Sequence, residues 1–402
     1  MSTVAVIGAG AAGVVAALNA SVKHDVILLD GNDKCGKKIL LTGNGRCNYW
    51  NSDMGAHKYD TDCMDNLENI MSDMNCSEVL SWLDRTGVYP RIRDGYYYPY
   101  SNQASSFREI FQNLIDKSNV EFLCGFKVSG IDKENDKFVI FSEDGRKVTC
   151  DKVIIATGSK AAPKTGSDGS GYDLAQSLGH KVNPVYPALT PLISTGKFLK
   201  EWEKIRSDAT VTLSVDGKTV KEDTGEIQLT SSGISGICTF NISGCAAKSV
   251  AEGRNVKVYI NFMPYLEDGF YNWFSTRCSV LVNPTLETAL ESIFNYKLMF
   301  VLLKKAGVSK GDFWFNISED KKRTLCKVIE SFPLDIVGAE SFDKAQVCTG
   351  GVSLSEINCN TMESLICKGL YFAGEVLDVD GRCGGYNLAF AFVSGYIAGR
   401  SV

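Results

Sequence analysis

Histidine is scarce in this chain, and positive charge is not in excess. In the sequence, none of the three histidines, His24, His57 and His180, is next to a candidate nucleophile or metal ligand, which disfavours a triad hydrolase or a zinc enzyme. The 42 basic residues are outnumbered by 47 acidic residues, giving a net charge of −5. No surplus of positive charge is available to neutralise a phosphate backbone, so we expect no nucleic-acid partner, and no metal site is predicted.

Long apolar runs and paired cysteines are also missing. No run reaches the roughly 18 apolar residues of a membrane-spanning helix, and the N-terminal residues lack a basic segment and a cleavage site. We therefore expect a cytoplasmic protein without a membrane anchor, and no obligate protein partner is evident.

The 14 cysteines include no C-x-x-C pair, which predicts reduced thiols. The same absence argues against a disulfide reductase, which needs two closely spaced thiols.

The first 30 residues have the pattern of a β-α-β unit. Residues 3–8 form a short β-branched apolar run, which is typical of a buried parallel strand. The segment Gly8–Gly13 follows at once with the spacing G-x-G-x-x-G, and residues 14–22 have the composition of a helix. A second apolar strand, residues 25–29, ends on Asp30. Strand, turn, helix and terminal acid in this order predict a dinucleotide-binding unit.

Each glycine of this unit has a separate expected role. Gly8 makes the tight turn, Gly10 lets the backbone approach a pyrophosphate, and Gly13 allows the helix to pack closely on the strand. The helix N-terminus attracts the phosphates, and Asp30 is placed to accept hydrogen bonds from the adenosine ribose. The alternative is a glycine-rich turn in an unrelated α/β domain. The predicted contacts here are Gly8, Gly10, Ala11, Ala12, Gly13 and Asp30.

Three later segments favour FAD over NAD as the dinucleotide. Residues 152–158 form an apolar strand ending in Ala-Thr-Gly, and residues 369–375 form another ending in Gly-Glu, where Glu375 can bond the ribityl hydroxyls. A last helix begins near residues 384–387, and its N-terminus can stabilise negative charge on reduced flavin. No second G-x-G-x-x-G follows a strand, so NAD(P)H is expected only as a transient electron donor. The predicted contacts are Thr157, Gly158, Gly374, Glu375, Gly385, Tyr386, Asn387 and Leu388.

The segment at residues 36–51, GKKILLTGNGRCNYWN, resembles a signature of the bacterial YhiN-like flavoproteins, which include aminoacetone-oxidase-like and BaiN-like enzymes. Further matches to this family occur at residues 98–101, 187–192, 349–352 and 378–388. The resemblance implies a Rossmann-type α/β fold of the two-dinucleotide-binding-domain kind, with an inserted β-rich subdomain and a small helical subdomain. It places the discontinuous FAD-binding domain at residues 1–189 and 344–402, the β-rich subdomain at 190–262 and the helical subdomain at 263–343.

Periodicity gives a coarse secondary structure for the rest of the chain. Residues 62–86 and 103–118 have apolar positions at helical spacing, and residues 120–150 alternate as short strands. A hairpin is predicted around the Asp-Gly turn at residues 215–218, within a small barrel or sheet. Residues 264–332 are predicted to be mainly helical.

The glycine-rich turn after residue 42 is the second predicted cofactor contact. Its backbone N–H groups can face the flavin or pyrophosphate, and Arg46 can neutralise phosphate or the flavin N1–C2=O edge. The alternative is an Ω-type loop whose glycines serve only its own shape. Val128 is expected to meet the adenine through its backbone. The predicted contacts of this turn are Lys38, Gly43, Asn44, Gly45, Arg46, Cys47 and Asn48.

Catalytic residues are only weakly indicated. Arg46, Cys47 and Tyr98 are the candidates, because a cation, a thiol and a phenol near a flavin can take part in its chemistry. Packing of the thiol and of the tyrosines at residues 96–100 in the core is the simpler interpretation. The sequence also departs from the family: it has Ser231 where a histidine is usual, and Ala161–Ala162 where the family has an aromatic residue.

Two enzymatic hypotheses remain for a hydride transfer at flavin N5. The favoured one is NAD(P)H-dependent reduction of an activated C=C bond in a bulky apolar substrate, as the BaiN-like resemblance implies. The loss of the aromatic residue at Ala161–Ala162 suggests the broader pocket that such a substrate needs. The alternative is an oxidase that takes electrons from an amine or amino ketone and releases peroxide. A non-enzymatic flavin-binding redox sensor is the third possibility.

Overall fold

The structure is a computed structural model that describes all residues, 1–402. It contains 21 strands and 11 α-helices. The strands are β1 (Thr3–Ile7), β2 (Asp25–Asp30), β3 (Trp50–Asn51), β4 (Tyr59–Thr61), β5 (Pro90–Arg93), β6 (Tyr96–Pro99), β7 (Val120–Cys124), β8 (Val128–Glu134), β9 (Lys137–Ser142), β10 (Lys147–Cys150), β11 (Lys152–Ile155), β12 (Val182–Ala188), β13 (Leu192–Ser194), β14 (Ile205–Val215), β15 (Lys218–Leu229), β16 (Gly233–Gly236), β17 (Val256–Asn261), β18 (Phe332–Ala339), β19 (Val347–Val352), β20 (Leu370–Phe372) and β21 (Val379–Gly381).

The helices confirm the helical periodicity of residues 62–86, 103–118 and 264–332. No helix of the chain has both the length and the apolar character that crossing a membrane requires. The helices are α1 (Ala11–Ala20), α2 (Met64–Ile70), α3 (Asp73–Arg85), α4 (Ala104–Lys117), α5 (Ser170–Ser177), α6 (Ile237–Ala251), α7 (Phe270–Val280), α8 (Leu286–Leu290), α9 (Tyr296–Ala306), α10 (Glu319–Glu330) and α11 (Tyr386–Ser401).

A five-stranded parallel sheet organises the first of two compact units, residues 1–187 and 342–402. Its strand order is β20-β11-β1-β2-β7, and α1 connects β1 to β2. The strands β1, β11 and β20 are buried along almost their whole length, as expected for a parallel sheet covered on both faces. Because β20 comes from the C-terminal region and pairs with β11, the unit is discontinuous in sequence. The predicted Rossmann-type fold is thereby confirmed.

Close packing of α1 against α11 completes this unit. A Cβ atom placed on Gly395 would lie 2.4 Å from the carbonyl oxygen of Ala12, and one on Gly399 would lie 2.4 Å from that of Ala16. The two glycines, four residues apart, thus form a strip that lets the backbones touch. The contacts advance in the same direction along both helices, so α1 and α11 run parallel.

Two three-stranded antiparallel sheets add to the same unit. The predicted strands of residues 120–150 include an antiparallel meander, β8-β9-β10, whereas β7 joins the parallel sheet. The other sheet has the order β3-β6-β5, with Trp50 opposite Tyr97 and Asn51 opposite Tyr96. This second sheet joins the segment after the glycine-rich turn to the tyrosine-rich hairpin.

The second compact unit, residues 188–341, is a closed barrel with helices packed on it. The strand order is β13-β16-β15-β14-β17-β18, and the long hairpin β14–β15 confirms the turn signal at residues 215–218. The helices α7 to α10 share one hydrophobic core with the barrel, which includes the fully buried Trp202 and Trp314. The segments assigned from the sequence to a β-rich and a helical subdomain therefore form one compact unit.

Candidate flavin site

The glycine-rich turn between β1 and α1 has the geometry that a pyrophosphate requires. Gly8 has a φ of +103°, and a Cβ there would lie 2.5 Å from the carbonyl oxygen of Ala156. A Cβ on Gly13 would lie 1.7 Å from the carbonyl oxygen of Gly8. In contrast, a Cβ on Gly10 would meet no atom within 4 Å. The protein itself excludes side chains at Gly8 and Gly13, whereas the space beside Gly10 is open to a ligand.

The N-terminus of α1 faces this open space with unpaired donors. Gly10 is the N-cap residue, no side chain caps the helix, and its first turn contains no acidic residue. The N–H groups of Ala11, Ala12 and Gly13 are therefore available to an anion, and the helix dipole favours one there. These residues fit the diphosphate of FAD.

Asp30, at the end of β2, is hydrogen-bonded on both carboxylate oxygens. Its Oδ2 accepts a bond of 2.7 Å from the N–H of Ala9, and its Oδ1 accepts bonds of 2.7 and 2.9 Å from the backbone and side-chain amides of Asn32. Asp30 thus fixes the glycine-rich turn to the sheet. A carboxylate has about four lone-pair sites, so the carboxylate can still accept a ribose hydroxyl.

The predicted adenine contact lies at the same edge of the sheet. The N–H of Phe126 donates to the carbonyl of Asp30 at 2.8 Å, and the N–H of Gly125 donates to that of Asn32 at 3.1 Å. These bonds hold the segment between β7 and β8 against Asp30. Val128, the first residue of β8, follows directly after this segment. The contact between the Val128 backbone and the adenine remains a prediction, and the position of Val128 beside the end of β2 is consistent with it.

A second helix N-terminus, that of the neighbouring parallel helix α11, lies farther out along the common helix direction. From the α1–α11 contacts and the rise of 1.5 Å per residue, α11 begins about 12 Å beyond the start of α1. Its N-cap, Gly385, has a φ of +95°, and no side chain caps the helix. A Cβ on Gly385 would lie 2.6 Å from the carbonyl oxygen of Trp50. FAD is an elongated molecule, and two parallel helix N-termini at this separation suit its diphosphate and its ring system.

The turn at residues 43–45 consists of three consecutive left-handed residues. Gly43, Asn44 and Gly45 have φ values of +56°, +55° and +79°. Successive backbone N–H groups in such turns form concave anion sites. The turn is half-buried to exposed, and Arg46 Nε donates to the carbonyl of Gly43 at 3.1 Å. The Arg46 guanidinium also lies over the ring of Tyr98, 5.4 Å from its centroid.

Glu375 is the centre of a polar group beside the start of α1. Its Oε2 accepts bonds from Lys38 Nζ at 2.6 Å and from Ser159 Oγ at 3.2 Å. A Cβ on the preceding Gly374 would lie 2.8 Å from the Cβ of Ala12, so the strand end approaches the α1 helix closely. The role of Ser159 was not predicted from the sequence, although it directly follows the Ala-Thr-Gly segment.

The thiol of Cys47 is packed rather than reactive. The residue is fully buried, and burial raises the pKa of the thiol to about 12. A thiol with that pKa is almost entirely protonated at neutral pH, so it is a poor nucleophile. Of the weak catalytic candidates, Arg46 and Tyr98 lie together, whereas Cys47 lies beneath the turn.

Ala161, one of the two alanines in the segment where the family has an aromatic residue, lies in the core. It is fully buried and packs with Ala345 and Cys348. Ala162, which the family pattern aligns with the aromatic residue, is half-buried and has a φ of +56°. The broader pocket inferred from this substitution therefore stays a prediction.

The remaining residues predicted to contact the cofactor lie in the segments that precede α11, follow β11 and follow the turn at residues 43–45. Asn387 exchanges two 2.8 Å bonds with the backbone N–H and carbonyl of Gly381, so its side chain fixes the entry to α11. The carbonyl of Tyr386 accepts a 3.0 Å bond from the Tyr59 hydroxyl. Gly158, with a φ of +76°, and the half-buried Thr157 follow β11, and Leu388 and Asn48 are also half-buried.

Fold and site together define a Rossmann-type FAD-dependent oxidoreductase. The parallel sheet, the open space at Gly10, the left-handed turn at residues 43–45 and the second helix N-terminus fit the parts that an FAD site requires. A family model described as the HI0933-like protein Rossmann domain matches residues 2–401. The chain belongs to this family, which confirms the resemblance to the YhiN-like flavoproteins and their BaiN-like members.

The chain is similar to characterised proteins along nearly its whole length. It is 38% identical to a 3-dehydro-bile acid delta(4,6)-reductase of Clostridium scindens, covering 100% of this chain and 99% of that protein. It is 28% identical to a ribosomal RNA dihydrouridine synthase of Haemophilus influenzae, covering 99% and 97%. The open conformation of a flavocytochrome c3 fumarate reductase aligns with a TM-score of 0.48 at 15% identity, covering 100% of this chain and 78% of that one.

Proposed function

We propose that this protein uses NAD(P)H to reduce a C=C bond conjugated to a carbonyl group in an apolar small molecule. The observation that carries this proposal is the shared chemistry of the full-length relatives. The names of both, a delta(4,6)-reductase and a dihydrouridine synthase, describe saturation of a C=C bond. The higher identity, 38% against 28%, favours the small-molecule substrate over RNA.

The site residues have defined tasks in such a reaction. FAD, when bound, supplies hydride transfer at flavin N5. The α1 N-terminus and the turn at residues 43–45 bind anionic groups, and the α11 N-terminus favours the negative charge that develops on reduction. Arg46 adds a cation beside this turn. Lys38 Nζ and Glu375 Oε2 form an ion pair at 2.6 Å, so each half-buried charge is compensated by the other.

Apolar surface beside the turn supports an apolar substrate. Leu41 is 61% exposed and Leu40 is 36% exposed, and both lie just before the turn at residues 43–45. Exposed leucines next to a cofactor site provide a surface that an apolar ligand can cover. An RNA substrate offers less apolar area and requires positive charge, which the chain as a whole lacks.

The two half-reactions test this proposal separately. We expect anaerobic NADH or NADPH to bleach the flavin of the holoenzyme, and a conjugated steroid enone to restore the oxidised spectrum with formation of the saturated product. In a parallel experiment, unmodified ribosomal RNA replaces the enone as the compound that reoxidises the reduced flavin. Rapid flavin reduction by a primary amine, with none by either nicotinamide, would instead indicate the oxidase. Restoration by RNA but not by the enone would contradict the substrate class.

A further inference from the structure

Three arginines and two tyrosines lie on one face of the β3-β6-β5 sheet beside the flavin site. Arg91 pairs with Tyr98 and Arg93 pairs with Tyr96 across β5 and β6. Directly opposed residues project to the same side of an antiparallel sheet, and alternate residues share a face. Arg91, Arg93, Tyr96 and Tyr98 therefore form one surface, and Arg46 lies over Tyr98 on it. We call these five residues the Arg–Tyr face.

On the opposite side of this sheet, Tyr97 packs against the core, whereas Ile92 beside it is 54% exposed. Tyr97, between Tyr96 and Tyr98, contacts the buried Tyr49 with ring centroids 6.1 Å apart. The Arg–Tyr face accordingly points away from that core. Its two strand arginines are exposed, as is Tyr96. Such a cluster is distinctive in a chain whose net charge is −5.

The Arg–Tyr face borders the N-terminus of α11. Asn51 is opposite Tyr96 in the sheet, and its Nδ2 donates to the carbonyl of Gly384 at 3.0 Å. A Cβ on Gly384 would lie 3.2 Å from a ring carbon of Tyr96. A ligand on this face therefore lies next to the turn that precedes α11, where the flavin ring is expected.

The arginines of the face are available to an anion. Arg93 Nε is 3.6 Å from Asp94 Oδ2, and these side chains are 75% and 83% exposed. An exposed pair at that distance is weak, so a phosphate can replace the carboxylate. Guanidinium groups bind phosphate with bidentate geometry, and the phenol rings beside them can stack against a planar base.

We propose that the Arg–Tyr face is the binding site for the phosphate groups of NAD(P)H. This inference rests on the proposed function. The chain has one dinucleotide-binding turn, and the flavin occupies it. A nicotinamide donor must therefore be held by side chains on another surface, and it must reach the flavin. The Arg–Tyr face meets both conditions, with Arg91 and Arg93 contacting phosphate and the tyrosines contacting a base.

The test combines substitution with a ligand that cannot transfer hydride. We expect 2′,5′-ADP and NADP⁺ to bind the oxidised holoenzyme in calorimetry. The double variant Arg91→Gln/Arg93→Gln should weaken this binding by about a hundredfold, about tenfold for each charge-assisted contact. The apparent Kd of NADPH in anaerobic flavin reduction should rise equally, while the limiting reduction rate stays near that of the wild type. Arg85→Gln, at an exposed arginine on α3, is the matched control.

The results distinguish this inference from the proposed function. If NADPH reduces the wild-type flavin and the double variant binds NADP⁺ as tightly as the wild type, the Arg–Tyr face is not the NAD(P)H site. The proposed reductase function would then still stand. If neither nicotinamide binds or reduces the wild-type flavin, the proposed donor and this inference both fail. A double variant that loses only affinity for the enone or for RNA in the oxidative half-reaction would assign the face to the substrate, and would also overturn the inference.

Discussion

Gly10→Val should produce a folded protein that has lost its flavin. A Cβ at Gly10 meets no protein atom within 4 Å, and the φ of −78° at this position suits any residue. The valine would instead fill the space in which the pyrophosphate approaches α1. Losing two charge-assisted hydrogen bonds weakens binding by at least about a hundredfold. The measurement is FAD titration of the apoprotein, accompanied by circular dichroism to verify folding.

The control for this substitution is Gly338→Val. Gly338 lies in the barrel strand β18, and a Cβ there also meets nothing within 4 Å. It adds the same side chain to the other compact unit, so we expect wild-type FAD affinity. Retention of tight FAD binding by Gly10→Val would place the cofactor elsewhere on the chain.

Gly395→Ala should destabilise the chain by about 3 kcal/mol, the upper part of the usual range for overpacking. Alanine is the better helix former by about 1 kcal/mol, so propensity alone predicts the opposite sign. The added Cβ would lie 2.4 Å from the carbonyl oxygen of Ala12 and 3.1 Å from its Cα. Both are backbone atoms, so α1 and α11 must separate. The measurement is urea denaturation of the apoprotein, with the shift in the transition of the FAD-binding unit as the readout.

Gly311→Ala provides the comparison for stability. A Cβ on Gly311 meets nothing within 4 Å, and we expect a change within about 0.5 kcal/mol. An increase in stability for Gly395→Ala would show that helix propensity dominates at this position and that α1 and α11 do not touch in solution. Because α11 also carries the second helix N-terminus, the destabilised variant should bind FAD more weakly as well.

Local sequence patterns predicted the parts of this fold that depend on short-range geometry. The spacing of Gly8, Gly10 and Gly13 follows from one strand–turn–helix junction, and the Asp-Gly turn at residues 216–217 defines a hairpin. The return of the C-terminal strand to the sheet was also predictable, because its Gly-Glu ending has the form of a cofactor contact. In each case the relevant signal lies within a few consecutive residues.

Non-local pairing could not be predicted in the same way. The closed barrel requires β13 to pair with β18, which is more than 130 residues later, and no local pattern encodes that partner. The Arg–Tyr face depends on the register of β5 against β6 and of β6 against β3. The surroundings of Ala161 could not be predicted locally either, because the residues that pack against it, such as Ala345, are distant in sequence.

The flavin content of the purified wild-type protein tests the central claim most directly. We expect one FAD per chain, released intact into the supernatant by heat denaturation, because the Cys47 thiol beside the turn is fully buried in packing contacts. The released cofactor is identified by its absorption spectrum and mass. A colourless protein that binds no FAD on titration would contradict the account.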